Sequence, residues 1–520
     1  MRVLLVTGML AEQSVRRHIE ELNDVDVIVL PLSVAAFITP ELAVNELKLH
    51  PPDGYDIILL PGTVNGDVSP VEEATGITTY KGPYHPSEIP HMLEMVDKME
   101  FSKTVSASEL LHTSLIDHAE EEIQETEKLW RQNLDESQIF TIGTGSREIP
   151  LGGYFPMRVI AEIVNAPTMP VESVIRRAQY YENEGANIID IGMMAGKPVP
   201  EKASELVEAV RSSVGVPVSI DTLHPGEIKA AVDADVDLVL SVDAGNLESV
   251  CKCLTDTPVV VLPGNLREGY FPSSAEERVN GLLSNMELAS DLGLRKLIAD
   301  PVLEPALNPG LLESLRAYQL FRIIDGSTPV LFGQGNVTEL IDADSPGVNG
   351  LLTALAAELN SNLLFIPEHS DKARRSVRET VTASKMMFLA KRRDSPPKDV
   401  GYNLLRLKEK RFNERPYYPE VESKAKVIDA TDEELILDDA GWFVIRVDRD
   451  NRQICAVHYT ALTTTDYVVK GTSAGEIYKT IIRKGIVGRM EHAAYLGKEL
   501  TKAEIALKLG RSYTQDDPLF

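Results

Sequence analysis

The sequence contains few cysteines, and none is arranged as a metal-binding pair. Its 520 residues include three cysteines, Cys251, Cys253 and Cys455, and no CxxC motif. A structural zinc site, an iron–sulfur cluster and a disulfide framework are therefore not expected. The three side chains are better explained as small hydrophobic groups within the fold.

Basic residues are scarce relative to acidic ones. The chain has 52 Lys and Arg against 79 Asp and Glu, which gives a formal net charge of −27. Nucleic-acid binding depends on a basic surface, so this balance argues against a DNA or RNA partner. The acidic excess indicates solubility, or adaptation to a salty cytoplasm, more than it indicates a specific partner.

Long apolar runs are also missing. No stretch approaches the roughly 18 apolar residues that a membrane helix requires. The first eight residues, MRVLLVTG, are too short for a signal peptide and lack a small-residue cleavage site. They are typical of a first β-strand. The sequence thus predicts a cytoplasmic protein without a membrane partner.

The length of the chain predicts several domains, because one hydrophobic core rarely extends beyond about 250–300 residues. Residues 1–150 are predicted to form a small doubly wound α/β domain with strands at 1–8, 25–31 and 55–61, followed by an acidic helical extension. Its loops contain neither GxGxxG nor a P-loop motif. No dinucleotide or P-loop nucleotide site is therefore expected there.

Residues 151–393 are predicted to form a (β/α)₈ TIM barrel. Apolar runs alternate with amphipathic segments such as PVESVIRRAQYYENEG, and eight such repeats suit a barrel better than an open sheet. The predicted barrel strands are 158–165, 187–192, 216–221, 236–243, 257–262, 295–300, 329–334 and 361–366.

Two further segments follow the predicted barrel. Residues 394–424 are rich in proline and charge, which is typical of an extended linker. Residues 425–520 are predicted to form an α+β domain. Two strands flank a DRDNR turn, and helices containing MEHAAYLGKELTKAEIALKLG end the chain.

Carboxylate or amide side chains stand where several predicted barrel strands end. They are Asn165, Asp221, Asp243, Asp300 and Asn336. Barrel enzymes carry their chemistry at the carboxyl ends of the strands, so these groups are expected to converge on one mouth. One carboxylate can accept hydrogen bonds from both the exocyclic amine and the ring N–H of an aminopyrimidinone. The alternative is that these residues only cap the following helices.

Three segments, GANIIDIG, VPVSIDT and the strand-end ADP, resemble the pterin-binding barrel of dihydropteroate synthases and methyltetrahydrofolate-type methyltransferases. The whole chain, with its N-terminal domain and EHAAYLGKELTKAE tail, resembles the archaeal dihydropteroate synthase-related proteins. The resemblance implies that Asp221 and Asp300 hold the pterin ring, with Asp300 as the bidentate acceptor. Ser241 stands where both families have Asn, and Asp243 lies close to it in the sequence.

Four segments differ from the synthase pattern. The loop after the first strand is NAPTMP instead of a TPDSFSDG-like sequence, but it keeps Asn165, which implies a magnesium or diphosphate contact. The loop after the second strand is MMAGKPVP, in which Lys197 is the remaining cation.

The last two barrel strands differ as well. After the seventh, GQGNVTE replaces the SRKS of the synthases and resembles the methyltransferase loop whose Asn approaches the pterin N5, a place taken here by Asn336. After the eighth, PEHSDKARR replaces Arg-x-His, so His369 is a candidate site residue, and Lys372 and Arg374 are candidate anion contacts.

The resemblance leaves two reactions open. The first condenses a dihydropterin diphosphate with an arylamine, on the route to folate or tetrahydromethanopterin, where the arylamine would be a ribofuranosyl-aminobenzene phosphate. Diphosphate release would need cations, usually with magnesium. The second transfers a methyl group from an N5-methyl-tetrahydropterin, with Asn336 bonding at N5 while Asp221 and Asp300 hold the ring.

A corrinoid acceptor would have to be carried by a partner protein, because the chain lacks a DxHxxG motif. A third alternative is a pterin-binding scaffold without turnover, in which the flanking domains recruit partners. In the tail, His458, His492, Glu499 and Lys502 are then either packing residues or docking residues. Barrels of this kind often pair, so a homodimer is a further expectation.

Overall fold

The chain divides into two compact units. We describe the protein from a computed structural model that covers residues 1–133, 139–408, 436–461 and 464–520, with the isolated positions 426, 428 and 430. The two units are Met1–Leu404 and Leu405–Phe520, and each is described by itself. Among the covered residues, no helix combines the length and the apolar character that crossing a membrane requires.

The first unit begins with a parallel sheet that has helices on both faces. Its elements are β1 (Val3–Gly8), α1 (Glu12–His18), β2 (Val25–Leu30), α2 (Pro40–Leu49), β3 (Ile57–Leu60), α3 (Ser69–Thr75), β4 (Thr78–Lys81), α4 (Ile89–Met95), α5 (Ala107–Leu110) and α6 (His112–Asn133). The strand order is β2-β1-β3-β4, and all pairs are parallel. The predicted doubly wound domain is confirmed.

Alternate side chains of β1 face opposite sides of this sheet. Leu5 belongs to the same core cluster as Val15 of α1, whereas Leu4 belongs to the cluster of Leu47 in α2. This alternation follows from the two-residue period of a strand. The strand β4 was not predicted, because its sequence TTYK is polar and part of it is exposed.

The rest of the first unit is built around eight parallel strands. Its elements are β5 (Phe140–Ile142), β6 (Ile149–Leu151), β7 (Arg158–Ile163), α7 (Val171–Asn183), β8 (Ile188–Gly192), α8 (Pro200–Arg211), β9 (Val218–Asp221), α9 (Pro225–Asp233), β10 (Leu238–Val242), α10 (Leu247–Val250), β11 (Val259–Val261), α11 (Ala275–Asp291), β12 (Leu297–Ala299), α12 (Leu311–Ile324), β13 (Leu331–Phe332), α13 (Gly335–Thr338), α14 (Ser345–Glu358), β14 (Leu363–Pro367) and α15 (Ser376–Arg392). The sheet order is β12-β11-β10-β9-β8-β7-β14-β13. A parallel bridge between Ala299 and Val330 joins the two ends of the sheet. The predicted TIM barrel is confirmed.

Aliphatic side chains fill the lower part of the barrel interior. They come from seven of the eight strands: Ile160, Ile188, Leu238, Leu240, Val260, Ile298, Leu331 and Leu363. Ile142 and Leu151 of the antiparallel β5–β6 hairpin belong to the same cluster, so the hairpin covers the amino-terminal end of the barrel. Open space for chemistry therefore lies at the carboxyl ends of the strands, as in other barrels of this type.

The second unit combines an antiparallel sheet with two helices. Its elements are β15 (Trp442–Asp448), β16 (Gln453–Ala461), β17 (Thr464–Gly471), α16 (Ala474–Lys484) and α17 (Met490–Leu509). The sheet order is β15-β16-β17. The predicted α+β domain is confirmed, with β17 as an additional strand. Residues 409–424 of the predicted linker lie outside the described residues.

The tail residues singled out in the sequence all have local partners. His458 bonds Asp466 at 2.5 Å, and Lys502 donates to Glu499 at 2.7 Å. His492 bonds Asp438 at 2.8 Å. All of these contacts lie within the second unit, and the one between Lys502 and Glu499 lies within α17.

Candidate functional site

Carboxylates gather at the carboxyl ends of the barrel strands. They are Glu162 in β7, Asp190 in β8, Asp221 at the end of β9, Asp243 after β10, Asp300 after β12, Glu339 after α13 and Glu368 after β14. Because the ends of parallel strands meet at one edge, these groups share one mouth. The mouth is therefore strongly acidic.

Three of these carboxylates form a cluster, which we call the acidic triad: Glu162, Asp190 and Asp221. One oxygen from each lies within 4.8 Å of the others. In the strand register Glu162 is paired with Asp190, and Asp221 is paired with Gly192, two residues farther along β8. Side chains two residues apart in a strand share a face, so the triad lies directly above the aliphatic layer of the barrel interior.

Gly192 makes room for the triad. A Cβ atom added at Gly192 would lie 2.3 Å from Oε1 of Glu162 and 3.1 Å from the carbonyl oxygen of Ile163. The Glu162 carboxylate thus crosses the neighbouring strand at the one residue type that has no side chain to obstruct it. The backbone of Gly192 has no positive φ, so close approach is the reason for glycine here.

Burial and mutual repulsion raise the pKa values of the triad. Burial, and then the charges of Asp221 and Glu339, raise the pKa of Glu162 to about 8. Burial, and then the charge of Asp300, raise the pKa of Asp221 to about 7. The pKa of Asp190 lies well above its ordinary value for the same two reasons, burial and neighbouring carboxylates. Near neutral pH the triad therefore holds protons or needs a compensating positive charge.

Asp190 has the most unusual environment of the three. Its side chain is fully buried, and its Oδ1 accepts a hydrogen bond from Ser219 Oγ at 2.6 Å. Its Oδ2 has no hydrogen-bond partner among the described residues. A buried carboxylate oxygen without a donor is costly, so such an atom calls for a ligand or a proton.

Asp300 lies across the mouth with its carboxylate held from one side. Its Oδ1 accepts from the backbone N–H of Val302 at 2.8 Å and from Tyr318 Oη at 3.0 Å. Oδ2 has no such partner among the residues that the structure covers. Burial raises the pKa of Asp300 to about 6, although these two hydrogen bonds and the charge of Arg278 lower it. Asp300 is thus a fixed acceptor that is ionised at neutral pH.

Asn336 lies next to the Asp300 loop. It is exposed in the short helix α13, and its Nδ2 donates to the carbonyl of Leu303 at 2.8 Å. The preceding Gln334 is fully buried and bonds Thr380 Oγ1 at 2.6 Å. The segment that carries Asn336 is therefore anchored in the interior by Gln334, while Asn336 itself is exposed and bonded to the loop that follows Asp300.

Ser241 and Asp243 are buried and serve the loop after β10. Asp243 accepts from the backbone N–H groups of Gly245 at 2.8 Å and Leu266 at 2.6 Å, one with each oxygen. The carbonyl of Ser241 accepts from Asn246 Nδ2 at 3.2 Å. Both residues lie at the mouth, but the Asp243 carboxylate already has backbone donors. Their predicted contacts with a substrate stay predictions.

The predicted cationic groups lie at the rim of the mouth. Lys372 donates to the carbonyl of Thr338 at 3.1 Å and to that of Ile341, so its ammonium is engaged in holding the end of α13. Lys197 is exposed in the loop after β8. Neither lysine is among the charges that act on the triad carboxylates.

The other predicted rim residues are exposed. Asn165 follows β7 in a left-handed conformation (φ 51°), and its carbonyl accepts from Thr168 Oγ1 at 2.8 Å. His369 follows β14, and its backbone N–H donates to Glu339 at 2.8 Å. Arg374 is exposed nearby in the sequence. The magnesium contact at Asn165 and the anion contacts at His369, Lys372 and Arg374 stay predictions.

Sequence reasoning missed several residues of this site, above all Glu162 and Asp190. A signal for both was available. Strands of a parallel barrel are buried on both faces, so an acidic residue inside RVIAEIVN or NIIDIG marks a place where the barrel interior is polar. Gln334 and Tyr318 gave no such signal, because their partners come from distant parts of the chain.

Comparison with protein-family profiles assigns three parts of the chain. The profile described as "Pterin binding enzyme" matches residues 167–341, "PterinBD-DUF4346" matches residues 437–516, and "Family of unknown function (DUF6513)" matches residues 1–84. The first of these includes Asp190, Asp221, Asp300 and Asn336.

Individual relatives differ in how much of the chain they match. Uncharacterized protein MJ0107 of Methanocaldococcus jannaschii is 40% identical and aligns with 100% of this chain and 99% of its own length. Dihydropteroate synthase of Streptococcus pyogenes is 24% identical over 40% of this chain and 85% of its own. The solved Xanthomonas albilineans dihydropteroate synthase with 4-aminobenzoic acid has 20% identity and a TM-score of 0.39, covering 47% of this chain and 96% of its own. The match to the M. jannaschii protein thus runs from end to end.

Proposed function

We propose that the barrel mouth binds a pterin and catalyses the transfer of a group to or from that pterin. The chain belongs to the dihydropteroate synthase-like family of pterin-binding proteins, which includes MJ0107 of M. jannaschii. The observation that carries the proposal is the Asp300 carboxylate, which is buried and held on one side by Val302 and Tyr318. A fixed carboxylate matches the paired N–H donors of an aminopyrimidinone ring, and its hydrogen bonds keep it from rotating away.

The proposed ring site extends from Asp300 toward Asp221. Asp300 is buried and Asp221 is half-buried, and the charge of Asp300 contributes to raising the pKa of Asp221. A neutral ring that donates several N–H groups would relieve this repulsion, because each carboxylate gains donors that the protein does not supply. Asn336 would lie beside the ring, since its amide is bonded to Leu303, three residues after Asp300.

The first proposed reaction is the condensation of a dihydropterin diphosphate with an arylamine. The amine nitrogen forms a bond to the pterin methylene carbon, the bond from that carbon to the diphosphate oxygen breaks, and diphosphate leaves. The amine loses a proton, which water accepts. The route to folate or tetrahydromethanopterin would use such a product.

A binding titration with a dihydropterin tests the ring site. We expect Asp300→Ala to weaken the binding of a dihydropterin at least roughly a hundredfold, in line with loss of a charge-assisted pair. Asp342→Asn removes one carboxylate from an exposed loop after α13 and should leave the affinity unchanged. If Asp300→Ala binds the pterin as the unmodified chain does, the ring site is not at Asp300.

The second candidate reaction is methyl transfer from an N5-methyl-tetrahydropterin. It is favoured by Asn336, whose exposed amide makes one bond to Leu303 and keeps its Oδ1 without a partner among the described residues. Such an amide can bond at N5 as the methyl group leaves, so Asn336→Ala should lower the rate with little loss of pterin affinity. A corrinoid acceptor would be carried by a partner protein.

Turnover assays separate the candidates. A condensing enzyme releases diphosphate from dihydropterin diphosphate only when an arylamine is present, and the release depends on a divalent cation. A methyltransferase consumes methyl-tetrahydropterin and is indifferent to diphosphate. If a pterin binds at Asp300 but neither substrate pair reacts, the barrel acts as a binding scaffold.

A further inference from the structure

We propose that the acidic triad of Glu162, Asp190 and Asp221 is a binding site for one hard divalent cation of the Mg²⁺ or Mn²⁺ class. The inference deepens the proposed function, because Asp221 belongs to both sites. It concerns residues other than Asn165, the position at which the sequence suggested magnesium. Three observations support the site: the spacing of the three carboxylates, the Asp190 oxygen without a partner, and the lack of a basic residue beside them among the described residues.

The spacing suits a single ion. Oxygens from the three residues lie within 4.8 Å of one another. Two ligands bound to one Mg²⁺, Mn²⁺ or Ca²⁺ ion at roughly 2.1–2.4 Å are separated by at most about 4.2–4.8 Å, when they lie on opposite sides of it. Carboxylate oxygens are also the ligands that hard divalent cations prefer.

Asp190 supplies an observation independent of the clustering. It is 0% exposed, and its Oδ2 lacks any hydrogen-bond partner among the described residues. No group among the described residues therefore compensates this oxygen, although it lies beside two further carboxylates. A metal ion can satisfy an anionic oxygen that has no N–H or O–H donor within reach.

No described basic residue takes the place of a cation at the triad. Lys372 is bound to the carbonyls of Thr338 and Ile341, and the buried Arg278 donates to Glu304 and Val302. One divalent ion would reduce the formal charge of three ionised carboxylates from −3 to −1. In octahedral coordination it would keep open positions for water or substrate oxygens, as such ions commonly do.

The open positions give the ion a role in the proposed condensation. A leaving diphosphate needs nearby positive charge. The two rim lysines offer little of it, since Lys372 holds α13 and Lys197 is exposed in a loop. A cation at the triad would lie on the same mouth as the ring site and could bind diphosphate oxygens directly.

Mn²⁺ binding to the full chain, stripped of metal with EDTA, tests the proposal by electron paramagnetic resonance of the free ion. We expect one Mn²⁺ per chain, displaced by excess Mg²⁺. Glu162→Gln and Asp190→Asn should each weaken binding at least roughly tenfold, since each removes a ligand charge. Glu368→Gln, a carboxylate of the same mouth outside the triad, should bind as the unmodified chain does.

The unfolding temperature of each variant shows whether it folds. Without metal, Glu162→Gln should unfold at the same temperature or higher, because it removes one of three repelling carboxylates. Mn²⁺ should then raise the unfolding temperature of the unmodified chain more than that of the variant. Equal stabilisation of both, absence of Mn²⁺ binding, or loss of binding in Glu368→Gln alone would overturn the proposal.

Asp300→Ala separates this proposal from the pterin site. The variant should lose the pterin and keep Mn²⁺, because Asp300 lies outside the triad. If the unmodified chain binds Mn²⁺ at the triad but no pterin, the proposed function fails and the cation site stands. If it binds the pterin at Asp300 but no divalent ion, the cation site alone fails.

Discussion

At the scale of single residues, the site depends on pairs in which one residue fixes the position of another. Gly192 leaves the space through which the Glu162 carboxylate reaches the triad. Tyr318 and the N–H of Val302 hold one oxygen of Asp300, so the other is directed away from them. In both cases a supporting residue decides where a carboxylate lies.

Replacing Gly192 with alanine should displace Glu162. The new Cβ would lie 2.3 Å from Oε1 of Glu162 and 3.1 Å from the Ile163 carbonyl, so the carboxylate has to move. We expect Mn²⁺ affinity to fall at least roughly tenfold, and the free energy of unfolding to fall by about 1–3 kcal/mol from the added crowding. Titration with Mn²⁺ and chemical unfolding measure the two effects.

Gly153→Ala is the matched control, because a Cβ there meets no atom within 4 Å and the φ of Gly153 is not positive. It should leave both quantities unchanged. Wild-type Mn²⁺ affinity in Gly192→Ala would contradict the role given to Gly192.

Pterin affinity should depend on pH through Asp300 and Asp221. The ring needs both carboxylates ionised, and their pKa values are about 6 and about 7, so the dissociation constant should be level only above about pH 7. Below it, protons compete with the ring, and the constant should rise toward tenfold for each pH unit. Measurements in EDTA keep metal binding out of the comparison.

Tyr318→Phe tests whether Asp300 contributes to this pH dependence. The hydroxyl donates to Oδ1 of Asp300 at 3.0 Å and lowers the pKa of that carboxyl. Its removal should move the midpoint of pterin binding to higher pH. Asp342→Asn should leave the midpoint unchanged. Because any titration of the ligand affects both variants equally, a difference between them comes from the protein. An identical midpoint in Tyr318→Phe would show that another group controls the pH dependence.

At the scale of elements, the short helix α13 is held by a buried polar network. Gln334 donates to Thr380 Oγ1 at 2.6 Å and accepts from Thr353 Oγ1 at 3.2 Å. Asn349 accepts from Thr338 Oγ1 at 2.8 Å. These bonds join α13 to α14 and α15, the two helices on either side of β14. They therefore fix the segment that carries Asn336.

Gln334→Leu should loosen this loop. The change leaves the hydroxyls of Thr353 and Thr380 without their partner in a dry interior, which costs about 1–3 kcal/mol of unfolding free energy. Hydrogen exchange of the α13 backbone should speed up. Gln13→Leu, an exposed position in α1, should change neither measurement. Unaltered exchange in Gln334→Leu would mean that the network does not hold α13.

The elements of the barrel were predictable for a physical reason, and some features of the site were not. Parallel strands buried on both faces appear as apolar runs, and all eight were predicted within a few residues of their observed bounds. The strands β4 and β17 were missed because they are partly exposed and polar. The triad depends on strand register, and the Gln334 network joins residues up to 46 positions apart, so neither follows from local pattern.

At the scale of the whole molecule, acidity is the dominant property. The net charge of −27 is spread over 520 residues, and the carboxylates at the barrel mouth carry the same negative sign. Self-repulsion of a folded chain weakens when salt screens it, because the compact state holds the charges closer together than the unfolded state does. Screening depends on ionic strength alone, whereas specific cation binding depends on which ion is present.

Raising KCl from about 0.02 M to about 0.5 M in EDTA should raise the unfolding temperature of the full chain by several degrees. Most of the rise should occur below about 0.3 M, because the screening length has already shortened to about 10 Å at about 0.1 M. KCl, NaCl and choline chloride should act equally at equal ionic strength, since screening ignores ion identity. A curve that stays flat to 0.3 M and climbs only in concentrated salt would point to exclusion of salt from the surface. In the same KCl series without EDTA, Mn²⁺ at micromolar concentration adds negligible ionic strength, so any stabilisation it produces on top of the KCl effect reports specific binding and not screening of the net charge.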